Sequence, residues 1–134
     1  MKNELSDQRI TPDRITTLNP GEIFVFGSNL AGCHAGGAAR LALEHFGAIW
    51  GQGVGLQGES YAIPTMQGGI ETIRPYVDQF IAFARLHPQY RFLVTEIGCG
   101  IAGFCPEQIA LLFAEARDIP NIWLPARFRQ ILGQ

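Results

Sequence analysis

The stretch FVFGSNLAGCHAGGAARLA, Phe24 to Ala42, decides how the rest of the chain is read. With Ile23 before it, Phe24 to Phe26 is a continuous apolar run of the kind carried by a strand buried on both faces. The run breaks at Gly27-Ser28-Asn29 and crosses Gly32, Gly36 and Gly37. A helical pattern then begins near Gly36 or Gly37, with Ala38, Leu41, Ala42 and Phe46 at apolar positions and Gly47 placed as its stop. A second stretch, FLVTEIGCGIAGFCPEQIALLF, Phe92 to Phe113, has the same plan. An apolar run meets Gly98, Gly100 and Gly103, and a helix follows with Pro106 at its first position and Ile109, Leu112, Phe113 and Ala116 on one face.

Outward from these two junctions, strands alternate with helices. Tyr61 to Pro64 reads as a short strand. Ile70 to His87 is the longest helical pattern, with Ile73, Val77, Phe80, Ile81 and Ala84 on one face and Pro88 as its stop. Arg91 to Ile97 reads as a strand, Ile122 to Leu124 as a last short strand, and Arg127 to Leu132 as a terminal helix. The predicted fold class is α/β, a sandwich with a mixed, largely parallel sheet. Residues 1–20 form a polar N-terminal arm ending in the turn signal Asn19-Pro20-Gly21, with an edge strand expected near Ile15. Residues 21–134 form one domain. The window GAIWGQGVGLQGES, Gly47 to Ser60, holds five glycines, too many for a helix. Two readings stand for it: a loop bordering a site, or a glycine-rich hairpin or irregular edge.

The chain has 134 residues, 47% of them apolar, enough for one core without covalent staples. The net charge of −2 and the scatter of nine arginines, with Lys2 the sole lysine, argue against a broad nucleic-acid footprint. Three cysteines, Cys33, Cys99 and Cys105, make an odd count and suit a reducing, cytoplasmic compartment. The start, MKNELSDQRITPDR, has no apolar core of a secretory signal, and no apolar run reaches membrane-spanning length, so no membrane partner is expected.

Both junctions fall where open α/β sheets bind ligands, beyond the carboxyl ends of strands. A helix start offers unpaired N–H groups and partial positive charge, and glycine lets the backbone approach an anion. Two such loops side by side suit a diphosphate. Neither is a Walker loop, since Gly-Lys-Ser/Thr is absent. Gly98-Cys99-Gly100-Ile101-Ala102-Gly103 has the G-x-G-x-x-G spacing but no acidic ribose partner on a following strand.

The segments VFGSN, AGGAA, SYAIP and GCGIAGFCP together resemble a divergent macrodomain, the family of α/β/α domains that bind ADP-ribose and its derivatives. VFGSN to AGGAA resembles that family's Asn-Ala-Ala-Asn strand end and glycine loop, with Asn29 at the second Asn and Phe26 in place of the first. GCGIAGFCP resembles its Gly-x-Tyr/Phe-Gly diphosphate loop followed by proline. The resemblance covers roughly 22–128 in topology and implies a three-layer α/β/α sandwich. It implies binding of ADP-ribose, a related small nucleotide or an ADP-ribosylated macromolecule, without a cofactor. It also raises hydrolysis of an ADP-ribosyl or ADP-ribose phosphate derivative, although Gly37-Ala38-Ala39 lacks the Asp that hydrolytic members often carry. The acidic residue that reads adenine in the family has only Asp13 and Glu22 as nearby counterparts.

The implied ligand-binding residues are Gly27, Ser28, Asn29, Gly36 and Gly37 in the first loop, and Gly98, Cys99, Gly100, Ile101, Ala102, Gly103 and Phe104 in the second. Phe128 or Leu124 would pack on the base. Asn29 would read the distal ribose hydroxyls, an amide being both donor and acceptor, or else cap a turn. His34 would serve as acid or base near that ribose, or else be a surface loop histidine. A competing reading is a cysteine-dependent hydrolase with Cys99, at a strand end before a helix, as nucleophile and His34 as base. A third is a binding module without catalysis. A zinc site from Cys33, His34, Cys99 and Cys105 lacks the C-x-x-C spacing such sites use.

Overall fold

A computed structural model describes residues 8–133. The fold is α/β, with a mixed sheet of five strands in the order β2-β3-β1-β4-β5. Strand β1, Glu22–Ser28, lies at the centre, parallel to β3, Ser60–Pro64, on one side and to β4, Arg91–Val94, on the other. Strand β5, Ile122–Trp123, continues the parallel set beside β4, and β2, Gly55–Gln57, is the antiparallel edge beside β3. The helices are α1, Gly37–His45; α2, Arg74–Arg85; α3, Pro106–Leu112; and α4, Ala126–Ile131.

Strand β1 is buried on both faces, and its alternate side chains enter two separate apolar clusters. Ile23 and Val25 join the larger one, with residues of β3 and β4, of α2, α3 and α4, and Ile122. Phe24 and Phe26 join the smaller one, built with Ala39, Ala42 and Phe46 of the α1 region and Ala62 of β3. The predicted inner face of α2 (Ile73, Val77, Phe80, Ile81 and Ala84) is wholly buried. Phe80 is its centre, with ring contacts to Tyr61, Phe92 and Phe113 at 5.1, 5.4 and 6.3 Å between centroids.

Several boundaries differ from the sequence expectation. The 70–87 segment opens as a 3₁₀ turn, Ile70–Thr72, and becomes α-helical only at Arg74, with Pro75 in the first turn where its missing N–H has no partner to lose. Strand β4 stops at Val94 rather than Ile97, because Thr95 turns its hydroxyl onto the Val25 carbonyl at 2.7 Å and the chain bends into the second glycine loop. The helix after Pro106 is shorter than the apolar pattern and continues as a 3₁₀ turn, Ala114–Asp118. The expected edge strand near Ile15 is not there. Ile10 instead forms a parallel bridge with Leu124, while Ile15 and Leu18 pack against the smaller cluster. Of the two readings of 47–60, the hairpin is the observed one: β2 turns through Gly58-Glu59 into β3.

Phe80→Ala would leave a cavity at the centre of the larger cluster. It is expected to cost about 3–5 kcal/mol, read as a lowered urea midpoint at unchanged slope.

Candidate functional site

The carboxyl ends of β1, β3 and β4 point the same way, and the two glycine loops rise from β1 and β4. They come together. A Cβ placed on Gly27 would lie 3.4 Å from the Gly98 nitrogen, and one on Gly36 would lie 4.0 Å from Ile101 Cδ1. Between them is a cleft of about 350 Å³. Its walls are Gly27 to Asn29, Cys33 and Ala35 to Ala39 from the first junction, Glu96 to Gly98 and Gly100 to Ala102 from the second, and Thr65, Met66 and Thr95 from the ends of β3 and β4.

This cleft is receptive to anions through its backbone. Helix α1 begins at Gly37 with Gly36 as its N-cap and no side-chain cap, so the N–H groups of its first turn are open at the cleft wall. Across the cleft, the N–H groups of Gly100, Ile101 and Ala102 have no acceptor among the described residues. Glu96 is the one charged side chain on the wall.

The first loop has no regular structure from Asn29 to Gly36, and the 47–57 segment holds it in place. Gly51 N–H donates to the Gly32 carbonyl at 2.9 Å, and the Ser28 hydroxyl donates to the Gly53 carbonyl at 2.5 Å. A Cβ on Gly53 would overlap the Asn29 and Leu30 carbonyl oxygens, and one on Gly32 would overlap the Gly51 and Gln52 backbone. Only glycine permits backbone to lie on backbone this closely.

His34, expected as a catalytic or surface loop residue, is not on the surface. It is 1% exposed and does not line the cleft. Its Nε2 lies 3.0 Å from the Gln52 carbonyl and 3.3 Å from Gln57 Oε1. Gln57 Oε1 also accepts the Ile49 N–H at 2.7 Å, which fixes the orientation of that amide. Both partners of His34 Nε2 are therefore acceptors, and Nε2 carries the hydrogen. The ring stands edge-on to Phe26 at 5.3 Å between centroids. The apolar wall from Phe26 and the Gln52 and Gln57 oxygens hold the ring inwards and tie the loop to the 52–57 segment, while Nδ1 has no partner among the described residues.

Asn29 does line the cleft, but both ends of its amide are engaged. Oδ1 accepts the Cys33 N–H at 2.9 Å and Nδ2 donates to the Cys33 carbonyl at 3.1 Å. The turn-holding alternative is the observed one. Phe128 is fully buried beside Phe113 and cannot meet a base from there. Leu124 is equally buried. Phe104 packs against the larger cluster, and Gly103 is exposed, both outside the cleft wall. Cys99, between the wall residues Gly98 and Gly100, points its thiol at the Ile97 carbonyl, 3.6 Å away. Burial first, then the nearby Glu96 carboxylate, pushes this thiol up to about 11 from an ordinary 9.0. This burial disfavours the thiolate that a cysteine-dependent hydrolase needs. Cys33 and Cys105 are exposed and free.

Thr65, Thr95, Glu96 and Ile97 on the wall were not singled out from sequence. The signal was present: each lies within three residues of the end of a parallel strand, the position where such sheets bind ligands. A second chamber of about 380 Å³ adjoins the cleft across Thr95 and Glu96, lined also by Thr11, Asp13 and Arg127. The Thr11 hydroxyl is buried there without a partner among the described residues. A larger hollow, about 690 Å³, lies at the opposite ends of the strands. Its walls are turn residues and strand starts such as Gly21 and Arg91, without a helix N-terminus. Among the described residues no three His, Cys, Asp or Glu side chains gather as metal ligands, and no helix is long and apolar enough to cross a membrane.

Comparison with family models, curated proteins and solved structures returned no match to this chain.

Two cysteines are expected to react quickly with a thiol reagent at pH 8 and one slowly, the slow phase vanishing in Cys99→Ala. The unfolded chain releases the Cys99 proton near pH 9 and the folded chain only near 11. Stability should therefore fall as pH rises through that window, and less steeply in Cys99→Ala, measured by urea unfolding across the alkaline range.

Proposed function

We propose that the cleft binds ADP-ribose or a closely related nucleoside diphosphate ribose, as a divergent macrodomain with a three-layer α/β/α arrangement. The observation that carries this reading is the facing of two sets of unpaired backbone N–H groups across one cleft, at the start of α1 and at 100–102. Two anion-receptive segments in one groove match two linked phosphates. The adjoining chamber with Thr11 and Asp13 gives a neighbouring half of the ligand, the nucleoside, a polar surface within reach.

The geometry favours binding over turnover. His34 Nε2 is committed to Gln52 and Gln57, Asn29 to the Cys33 backbone, and burial disfavours the Cys99 thiolate. His34 lies off the cleft wall, the Asn29 amide holds the turn and the Cys99 thiol is raised, so an ADP-ribose phosphate ester should survive incubation with the protein.

A thermal-shift titration tests the reading. ADP-ribose at about a hundred times its dissociation constant should add about 2.7 kcal/mol, a rise of a few degrees in melting temperature, and AMP much less. Gly100→Glu should abolish the shift without unfolding the protein. Gly100 is exposed, has no positive φ, and nothing lies within 4 Å of a Cβ placed there. A flat response of the wild type to ADP-ribose at millimolar concentration rejects the proposal. With its amide engaged in the turn, Asn29→Ala should weaken ADP and ADP-ribose by similar factors, through loss of loop order, in calorimetry. A selective loss for ADP-ribose would show instead that the amide turns to the ribose.

A further inference from the structure

The two chambers meet at an ion pair. Arg127, the second residue of α4, reaches back to Glu96, two residues past β4, with Nε 2.6 Å from Oε2 and Nη2 2.7 Å from Oε1. Glu96 lines both chambers and Arg127 lines the second. Among the residues on either wall, Arg127 is the only cation, and Glu96 and Asp13 are the only acids.

This arrangement sets a problem for an anionic ligand. Backbone N–H groups receive it, but the one charged side chain in the first chamber is a carboxylate, which repels it. The carboxylate is tolerable only while Arg127 neutralises it. Arg127 is also the only cation on either wall, bordering the chamber that shares Glu96 with the cleft, and its planar fork fits phosphate as well as it fits carboxylate. The pair is solvent-accessible, with 58% of the Arg127 side chain and 35% of the Glu96 side chain exposed. Exposed pairs contribute little net stability, so exchange of partners is cheap.

We infer that Glu96 and Arg127 form an exchange pair that sets phosphate affinity: Arg127 leaves the Glu96 carboxylate to meet a ligand phosphate, and Glu96 competes against the ligand for it. The inference rests on the reading of the cleft as a diphosphate site. It makes Glu96 a restraint on binding, so removing its charge strengthens the site.

The test is calorimetric titration of wild type, Glu96→Gln and Arg127→Gln with ADP-ribose and with inorganic pyrophosphate, at low and high salt. All three proteins should melt at similar temperatures without ligand, since the pair is exposed. Glu96→Gln should bind both probes tighter by about two- to fivefold, the size of an exposed ion pair. Arg127→Gln should bind about tenfold weaker, with a shallower salt dependence because one cation–phosphate contact is gone. Wild-type binding that is unchanged or weakened by Glu96→Gln, or unaffected by Arg127→Gln, overturns the exchange and leaves the cleft reading standing. Failure of all three proteins to bind either probe overturns the cleft reading and the exchange with it.

Discussion

The contact on which the site depends is backbone lying on backbone. The 51–53 segment crosses the 29–32 segment so closely that a single Cβ on Gly32 or Gly53 would overlap main-chain atoms of the other. This contact substitutes for secondary structure. From Asn29 to Gly36 the chain makes no helix and no ladder, and a loop of that length carries a large conformational entropy cost to order. The Gly51–Gly32 main-chain bond, the Ser28 hydroxyl on the Gly53 carbonyl, the His34–Gln57 anchor and the Asn29–Cys33 ring offset that cost with hydrogen bonds.

The second loop is held differently. Strand β4 ends at Val94, Thr95 bonds back to β1, and Phe104 N–H donates to the Gly98 carbonyl at 2.8 Å, closing the loop on itself. Its base is covered by Ile109 of α3 and by the larger apolar cluster. The turn closes without using the N–H groups of Gly100 to Ala102, residues that line the cleft. One loop is thus braced from outside by a neighbouring segment and the other from within. The asymmetry follows the two clusters: β1 sends Phe24 and Phe26 to a small core with one helix, and Ile23 and Val25 to a large core with three.

Much of the fold was legible in the chain. The apolar run 23–26, the 3.6-residue spacing of Ile73, Val77, Phe80, Ile81 and Ala84, and proline at the start of α3 each report local geometry, because burial of one face is written in the spacing of apolar residues. The two glycine junctions were legible for the same reason. The boundaries that shifted did so through contacts distant in sequence: Thr95 bonding Val25 shortened β4, and the Leu124 carbonyl took the Thr11 N–H, drawing the arm onto β5 at Ile10 instead of Ile15.

The sequence by itself determined the alternation of the four parallel strands with helices, the α/β class and the two glycine-rich loops that follow β1 and β4. It determined these because periodicity and glycine placement are local properties. Only the tertiary structure decided what the polar side chains do. His34, Asn29 and Cys99 have the chemistry of a catalytic set, and spacing gives no sign that Gln57 stands 3.3 Å from the histidine ring or that the Cys33 backbone occupies the asparagine amide. It likewise gives no sign that Glu96 and Arg127, thirty-one residues apart, share two hydrogen bonds at the wall between two chambers. A side chain's partner is set by where the chain returns in space, and no local pattern records that.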